Sequence, residues 1–228
     1  MSLAQRVMRV LAHLLSPRQA WRALKRQWLL YHLGDQRLRF MWDPAPPDEW
    51  VALDCETTGL NVASDQIISI GAVRIVGDRL LTSQRLEMLV RPSRPISDAS
   101  VRVHGLRSQD VAGGLDPDDA MMRLMHFIGS RPLVGYYLEF DVAMLNRALF
   151  PMLGQGLPQP KIEVSGLYYD YKFRQLPAYQ RQDNPTIDLR FATLLNDLGL
   201  PLRDAHDALN DAVMAALAFI KLRQLLVG

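Results

Sequence analysis

The sequence predicts an α/β protein in which a mixed sheet is flanked by helices. Segments with strand character alternate with segments of helical periodicity along most of the chain, which is the order expected of that class. Two apolar runs, at about 66–76 and 80–90, have the spacing of a hairpin. The 228 residues, 49% hydrophobic and 22% charged, are enough for a sizeable core. We therefore expect one main domain at 49–228.

The charge of residues 1–42 and the spacing of their apolar residues predict a basic amphipathic helical extension. Through Met41 the chain has eight Lys or Arg against one Asp, a net charge of +7, which leaves −5 for the remainder of a chain whose total is +2. Ser16-Pro17 is typical of a helix start. Apolar residues at helical spacing form two stripes, one of Val7, Val10, Leu11, Leu14 and Leu15 and the other of Trp21, Leu24, Trp28 and Leu29.

Several uses of this extension are open. Its apolar face could pack on the main domain, dock a protein partner or lie on an anionic membrane surface, and its cations could contact nucleic acid. The Arg-rich, acid-poor start also resembles an organellar transit peptide. The proline-containing segment 43–48 predicts a linker into the first strand.

The sequence of the main domain predicts strands and helices in a regular order. Small residues in the last helix, Ala208, Ala212, Ala215 and Ala216, would let it approach a sheet closely. After the first strand at about 49–54 and the hairpin, we expect helices at 97–103 and 116–129, a strand at 133–137, a helix from Phe140 to Leu149, a short strand at 162–164, a helix at 186–198 and the last helix at 213–226. Between Tyr168 and Arg181, aromatic and basic residues alternate, which is typical either of a single-strand contact or of rings packed on the fold beneath.

Two acids, Asp54 and Glu56, lie one position apart at the end of the first strand. Alternate side chains of a strand share a face, so both carboxylates point to one side, where they could bind a hard divalent cation. An acid at a helix start, Asp141, and another at the first turns of the last helix, Asp211, are candidates for the same site. His206 precedes Asp211 by five residues and belongs to the loop before that helix.

Three blocks resemble the exonuclease motifs of the DEDDh 3′-to-5′ exonucleases and occur in that family's order. They are D-x-E-T-T-G-L at 54–60, F-D at 140–141 and H-x-A-x-x-D-A at 206–212, with V-H-G-L at 103–106 as a supporting block. The resemblance covers about residues 48–225 and is nearest to the proofreading epsilon subunit of bacterial DNA polymerase III and its stand-alone relatives. It implies a ribonuclease H-like fold and a bacterial-type cytoplasmic enzyme of replication or repair.

Hydrolysis of a phosphodiester needs a nucleophile at neutral pH and neutralisation of the phosphoryl charge, which two metal ions supply. Asp54, Glu56, Asp141 and Asp211 are the expected ligands of two Mg²⁺ ions, with Mn²⁺ as a substitute. The expected general base is His206, because an imidazole accepts a proton near pH 7, and Glu56 is also expected to contact the attacking water. The expected substrate is the 3′ end of single-stranded DNA or RNA, with DNA favoured.

The terminal nucleotide is expected to bind beside these residues. We expect the backbone N–H groups of 57–60 (Thr57, Thr58, Gly59, Leu60) to hold it, with Leu60 against the base and with His104 and Phe140 lining the pocket. The chain departs from the family at Tyr136-Tyr137, where members usually carry His-Asn. That difference predicts an altered preference for sugar or base.

Other features limit the class of protein. The single cysteine, Cys55, cannot form an internal disulfide. The sequence has no uninterrupted run of 18 or more apolar residues, so a membrane-spanning helix is not expected. The alternative to an enzyme is an adaptor of nucleic acid or the replisome that retains the fold and acts through its basic N-terminal helices. The complete set of acids favours the enzyme, because an adaptor has no chemical need for them.

Overall fold

A computed structural model describes residues 17–182, 185–203 and 206–227. Its centre is a five-stranded mixed sheet with the strand order β3-β2-β1-β4-β5. The first three strands form an antiparallel meander, and β4 and β5 continue the sheet parallel to β1. This confirms the predicted mixed sheet. The strands are β1 at Glu49–Thr57, β2 at Ile67–Val76, β3 at Arg79–Leu89, β4 at Leu133–Gly135 and β5 at Lys161–Glu163.

Helices flank the sheet, as predicted. They are α1 at Pro17–Tyr31, α2 at Asp98–His104, α3 at Ser108–Val111, α4 at Pro117–Ile128, α5 at Leu138–Leu153, α6 at Val164–Gln175, α7 at Phe191–Asp197 and α8 at Ala208–Val227, with short 3-10 helices at Gln36–Trp42 and Gln180–Gln182. The first predicted apolar stripe, at 7–15, lies outside the described residues.

Several predicted boundaries were wrong, among them the end of β1, which is Thr57, and the end of α5, which is Leu153. The helix expected from 186 begins only at Phe191, because the Asp188 carboxylate accepts hydrogen bonds from the Arg190 N–H and the Thr193 hydroxyl, which fixes a turn. The last helix begins at Ala208, five residues before the predicted start, since the Asp207 side chain accepts the Asn210 N–H at 2.8 Å as a cap. The strand expected to reach 137 ends at Gly135.

Hydrophobic clusters cover both faces of the sheet. Because side chains alternate along a strand, β1 contributes Val51, Leu53 and Cys55 to one cluster and Ala52 to the other. The first cluster includes the buried residues of α4 and α5, and the second includes those of α6, α7 and α8. Asp54 and Glu56 alternate in step with Ala52, so they face the side that α8 occupies.

The last helix approaches the sheet very closely. Ala208, Ala212, Ala215 and Ala216 are all buried, which confirms the expected role of small residues. A Cβ atom added to Gly71 of β2 would lie 2.2 Å from the backbone of Ala208, so only glycine fits there. Gly71 is the partner of Asp54 in the β1–β2 register. The close approach therefore brings the start of α8 over the strand that carries the acid pair.

Part of the predicted extension is integral to the main core. Leu30, Leu33, Leu38 and Met41 are buried in the same cluster as β1. By contrast, an exposed stripe of α1 consists of Trp21, Leu24, Trp28 and Tyr31, whose exposed fractions range from 48% to 83%. None of the helices in the described part of the chain is long and apolar enough to cross a membrane.

Candidate active site

An open cleft of about 360 Å³ lies at the carboxyl end of β1, between the starts of α5 and α8. We call it the acidic cleft. It is lined by Asp54, Cys55, Glu56, Thr57, Leu60, Tyr136, Tyr137, Phe140, Asp141, His206 and Asp211. The structure thus brings the four predicted metal ligands and the predicted base together from three separate parts of the chain.

Three elements place the four acids. Asp54 and Glu56 come from β1, whose regular pairing with β2 is interrupted directly after Glu56. Asp141 lies in the first turn of α5 and Asp211 in the first turn of α8. Both helices start at the same edge of the sheet, so their first turns converge on the end of β1.

His206 is connected to Asp211 through the backbone. Its N–H donates to the Asp211 carboxylate oxygen Oδ2 at 3.0 Å, and its φ of 66° turns the chain into the helix. Single ligand atoms of Glu56, His206 and Asp211 all lie within 4.8 Å of one another. The imidazole is exposed, so solvent and a substrate can reach it.

The carboxylates of Glu56 and Asp141 are buried and those of Asp54 and Asp211 are half-buried, all among other negative charges. Burial, and after it the charges of Asp141 and Asp211, raises the pKa of Asp54 well above its usual value. The pKa of Asp141 is also raised, by burial and then by the charge of Glu56. Burial and the charge of Asp211 raise the pKa of Glu56 to about 7. An arrangement of this kind is costly unless cations neutralise it.

The acidic cleft fits such cations. Among the described residues that line it, none is Lys or Arg. The Oδ1 atom of Asp211 is buried and has no hydrogen-bond partner among the described residues, so it is available as a ligand. All four candidate metal ligands are carboxylates, the oxygen ligands that Mg²⁺ and Mn²⁺ prefer.

The loop after β1 is fixed by hydrogen bonds to its own neighbours. The Thr58 hydroxyl donates to Asp65 at 3.0 Å, and the Ser100 hydroxyl donates to the Thr58 carbonyl at 2.6 Å. The Thr58 N–H donates to the Gln66 carbonyl, so it is not free to bind a nucleotide. At the tip of this loop the Leu60 side chain is 86% exposed and lines the cleft.

Of the two remaining predicted binding residues, Phe140 lines the cleft and His104 does not. Phe140 lines the acidic cleft and also packs on the first hydrophobic cluster. His104 does not line the cleft; it ends α2, and its Nδ1 accepts the Leu106 N–H at 3.1 Å. Burial lowers the pKa of His104, which favours the neutral imidazole.

The aromatic segment at 168–181 begins in helix α6, which ends at Gln175, and its rings mostly pack on the fold. Tyr168 is buried and donates its hydroxyl hydrogen to Asp197 at 2.9 Å. Tyr171 packs on the second cluster, and Tyr169 stacks with Phe173. Tyr179 is exposed, but it does not line the acidic cleft. These contacts favour the packing interpretation over a single-strand contact.

Sequence reasoning missed two residues that build the site, Gly71 and Glu163. The Glu163 carboxylate accepts the N–H groups of Tyr137, Leu138 and Ser165, at 2.9 to 3.1 Å. It therefore caps α5 and α6 at once and fixes the turn that carries Asp141. The only available signal was an acid at the end of a short predicted strand, which is too common to be informative.

Comparison with known proteins is consistent with this geometry. A family profile described as Exonuclease matches residues 51–219. A DNA polymerase III subunit epsilon-like protein of Rhodobacter capsulatus is 31% identical over 176 residues, which is 76% of this chain but 23% of that protein. The DNA polymerase III subunit epsilon of Aquifex aeolicus is 23% identical, over 76% of this chain and 79% of that protein. This chain thus spans less than a quarter of the first of these two relatives.

Solved structures share the fold. E. coli exonuclease I in a zinc-bound complex with single-stranded DNA superposes with a TM-score of 0.64 at 17% identity, over 78% of this chain and 41% of that one. Exonuclease X in complex with 5′-overhanging duplex DNA superposes with a TM-score of 0.55 at 23% identity, over 77% of this chain and 91% of that one. The mixed sheet with its flanking helices is therefore the ribonuclease H-like fold of these nucleases.

Proposed function

The chain belongs to the exonuclease family, and on this premise we propose that it is a metal-dependent 3′-to-5′ exonuclease. It removes nucleoside 5′-monophosphates from the 3′ ends of single-stranded nucleic acid, with DNA favoured. One observation carries the proposal: four carboxylates and an imidazole from distant parts of the chain line one open cleft.

Two divalent cations, Mg²⁺ or Mn²⁺, when bound would lower the pKa of a water molecule and neutralise charge on the phosphoryl oxygens. Asp54, Glu56, Asp141 and Asp211 would hold them. Their raised pKa values and the unpartnered Oδ1 of Asp211 support this assignment. Without cations, the four negative charges would repel one another in a site of low polarity.

His206 acts as the general base and takes a proton from the attacking water. Its exposed imidazole lies close to Glu56 and Asp211, so it can reach a water molecule between the carboxylates and a phosphate. Glu56 accepts a hydrogen bond from the same water and orients it. The backbone bond from His206 to Asp211 ties the base to the ligand, so both keep their relative position.

The terminal nucleotide binds beside the loop after β1. The N–H groups of Gly59 and Leu60 have no partner among the described residues, and we assign them to the 3′ end, with Leu60 against the base. Thr57 and Phe140 complete this side of the cleft, while Thr58 and His104 support the loop from behind. The proposal keeps a basic extension at 1–42, a linker at 43–48 and a main domain at 49–228, with Leu30, Leu33, Leu38 and Met41 of the extension buried in the core of that domain.

The relatives guide the choice of substrate and setting. Their names link them to DNA polymerase III, and the fold neighbours were solved with DNA. We therefore favour DNA over RNA, a bacterial-type cytoplasmic location, and a protein partner or an anionic surface for the N-terminal helices. Proofreading and free-standing trimming both fit this chemistry.

The test is digestion of a single-stranded oligonucleotide that carries a label at its 5′ end. With Mg²⁺ or Mn²⁺, we expect a ladder that shortens one nucleotide at a time, with no labelled mononucleotide before the longer products have been shortened. Asp54→Asn and His206→Ala should each lower the rate by about 10²-fold or more. A matched control, Asp170→Asn, changes an exposed carboxylate of α6 and should leave the rate unchanged.

Three results would contradict the proposal. One is full activity in Asp54→Asn or His206→Ala, because the chemistry could then not depend on this cleft. Another is an inactive wild-type protein that still binds nucleic acid when folded, which would favour the adaptor. The third is removal of the label at the 5′ end, which would show the opposite polarity.

A further inference from the structure

Tyr137 presents an aromatic ring to the acidic cleft without any other evident use. The side chain is 67% exposed although it lines a concave site. It lies directly before α5, the helix that carries Asp141. An exposed ring of this size next to the reacting groups is in position to contact a substrate.

The ring is supported by an aromatic series that begins in the second hydrophobic cluster. Phe191, a residue that packs on that cluster, stacks with Tyr136 at 4.3 Å between centroids and an angle of 15°. Tyr136 in turn contacts Tyr137 edge to face at 4.8 Å and 80°. The Tyr136 hydroxyl donates to the Leu189 carbonyl at 2.9 Å, and burial raises its pKa to about 12, so it remains a donor at neutral pH. The support for Tyr137 is therefore rigid.

The backbone of Tyr137 is also held in an uncommon conformation. Its φ and ψ are 53° and 32°, the left-handed region that bulky residues rarely adopt. Glu163 accepts the N–H groups of Tyr137 and of Leu138, which fixes the residue in that conformation. Strained residues that the surrounding structure over-determines are found mainly at functional sites.

From these contacts we propose that Tyr137 is a base-stacking residue, whose ring packs on the base of one of the two nucleotides at the single-stranded 3′ end. This rests on the proposed function. The cleft has no Lys or Arg among its described lining residues, so apolar and stacking contacts are the side-chain contacts that would add to the attraction between bound cations and the phosphates. Every base has a π-face, so stacking on Tyr137 would tolerate all sequences. Leu60 offers a second exposed apolar surface in the same cleft.

The experiment compares natural 3′ ends with 3′ ends whose two terminal nucleotides are abasic. The affinity is measured by fluorescence anisotropy in a His206→Ala background, which retains the four acids and should slow cleavage about 10²-fold or more. In that background, Tyr137→Ala should raise the Kd for the natural end about 5- to 150-fold, the range that loss of one stacked base implies. For the abasic end, the Kd values with and without Tyr137→Ala should agree within about twofold.

Two further variants separate stacking from folding. Tyr137→Phe retains the ring and should bind as the unsubstituted background does. Tyr137→Asn loses the ring, but asparagine tolerates the left-handed conformation, so its Tm should not fall while its Kd rises as for alanine. As a matched control, Tyr179→Ala removes an equally exposed ring, 69% exposed, that lies outside the cleft, and it should not change the Kd.

The inference is overturned if Tyr137→Ala and Tyr137→Asn bind the natural end normally, or if they weaken binding to the abasic end by the same factor. The wild-type protein is assayed for cleavage in parallel. An inactive wild type would refute the exonuclease proposal, whereas the Kd comparison would still decide whether Tyr137 stacks on bases.

Discussion

Glu56, Asp54 and Asp141 each carry a raised pKa for the same physical reason. Burial removes water from the carboxylates, and each lies near other acids of the cleft. In the folded protein without cations they bind protons more tightly than in the unfolded chain. Unfolding then releases protons, so the free energy of unfolding falls as the pH rises through the range between the two pKa values.

For Glu56 that range is about 4.5 to about 7. We therefore expect the Tm of the protein in chelator to be lower at pH 8 than at pH 5.5. Mg²⁺ or Mn²⁺ should raise the Tm, and by more at pH 8, where protons no longer compete for the carboxylates. Differential scanning fluorimetry measures both effects.

A variant serves as the control for this linkage. Asp54→Asn removes a buried charge, so in chelator at pH 8 it should be at least as stable as the wild type, and it should gain less from the cation. If the Tm of the wild type and that of Asp54→Asn both changed with neither pH nor cation, the assignment of these acids as ligands would be contradicted.

Glu163 shows how one side chain can position two elements. It accepts hydrogen bonds at the starts of α5 and α6, and α5 carries Asp141. Loss of a helix cap costs about 0.5 to 2 kcal/mol, so Glu163→Ala should destabilise the protein by about 1 to 3 kcal/mol. The rate of digestion should also fall, because the first turn of α5 would be less ordered.

Urea unfolding and the digestion assay measure these two effects. The matched control is Glu139→Ala, which removes an exposed acid from the first turn of α5 and should cost less than about 1 kcal/mol. Equal effects for the two substitutions would show that the contacts of Glu163 do not matter.

Gly71 determines how closely α8 approaches the sheet. A Cβ atom there would meet the backbone of Ala208, so Gly71→Ala must displace the start of the helix that carries Asp211. We expect a loss of stability of about 1 to 3 kcal/mol and a larger proportional loss of nuclease activity.

Gly113→Ala is the control for that substitution, because a Cβ atom at Gly113 would meet nothing within 4 Å in the described part of the chain apart from its chain neighbours. Its stability and activity should match those of the wild type. Normal activity in Gly71→Ala would mean that α8 can shift without effect on the site.

The elements that could be predicted from the sequence are those with a strong local pattern. The meander, α4 and α5 have clear periodicity, and the D-x-E pair follows from the alternation of β1. The start of α7 depends on the turn that Asp188 makes, and helix α6 has aromatic and basic residues in place of a clean apolar stripe. Such features are decided by tertiary contacts, which a local pattern does not contain.

The candidate site was predictable for a related reason. The four acids and His206 occupy positions where few other roles explain an acid or a histidine. Their residue types alone therefore indicated the site. The supporting residues Gly71, Glu163 and Tyr136 act through contacts with residues 25 to 137 positions away along the chain. Those contacts could be found only in the folded structure.

At the scale of the whole molecule, the core extends into the predicted basic extension. Leu38 is fully buried and belongs to the cluster that supports β1, whereas Leu24 is 48% exposed. Leu38→Ala should therefore cost about 2 to 5 kcal/mol in the free energy of unfolding. Leu24→Ala should cost less than about 1 kcal/mol. Urea unfolding of both variants tests whether residues 30–41 fold with the main domain, and similar costs would contradict it.

The same comparison bears on the exposed stripe of α1. Substitution of its four exposed apolar residues should change the free energy of unfolding little. Any effect of such a substitution on function would therefore come from a lost partner contact and not from folding. A double substitution, Trp21→Ala with Trp28→Ala, should leave the Tm within about 2 °C and the digestion of a free oligonucleotide unchanged. A large loss of activity on a free oligonucleotide would place the stripe at the nucleic acid.

The central claim is that the carboxylates of the acidic cleft bind two cations. Anomalous diffraction from crystals soaked in Mn²⁺ tests it most directly. We predict two strong peaks among the carboxylates of Asp54, Glu56, Asp141 and Asp211, and the loss of at least one in Asp211→Asn. Peaks elsewhere, or an acidic cleft without a peak at a saturating concentration of Mn²⁺, would contradict the account.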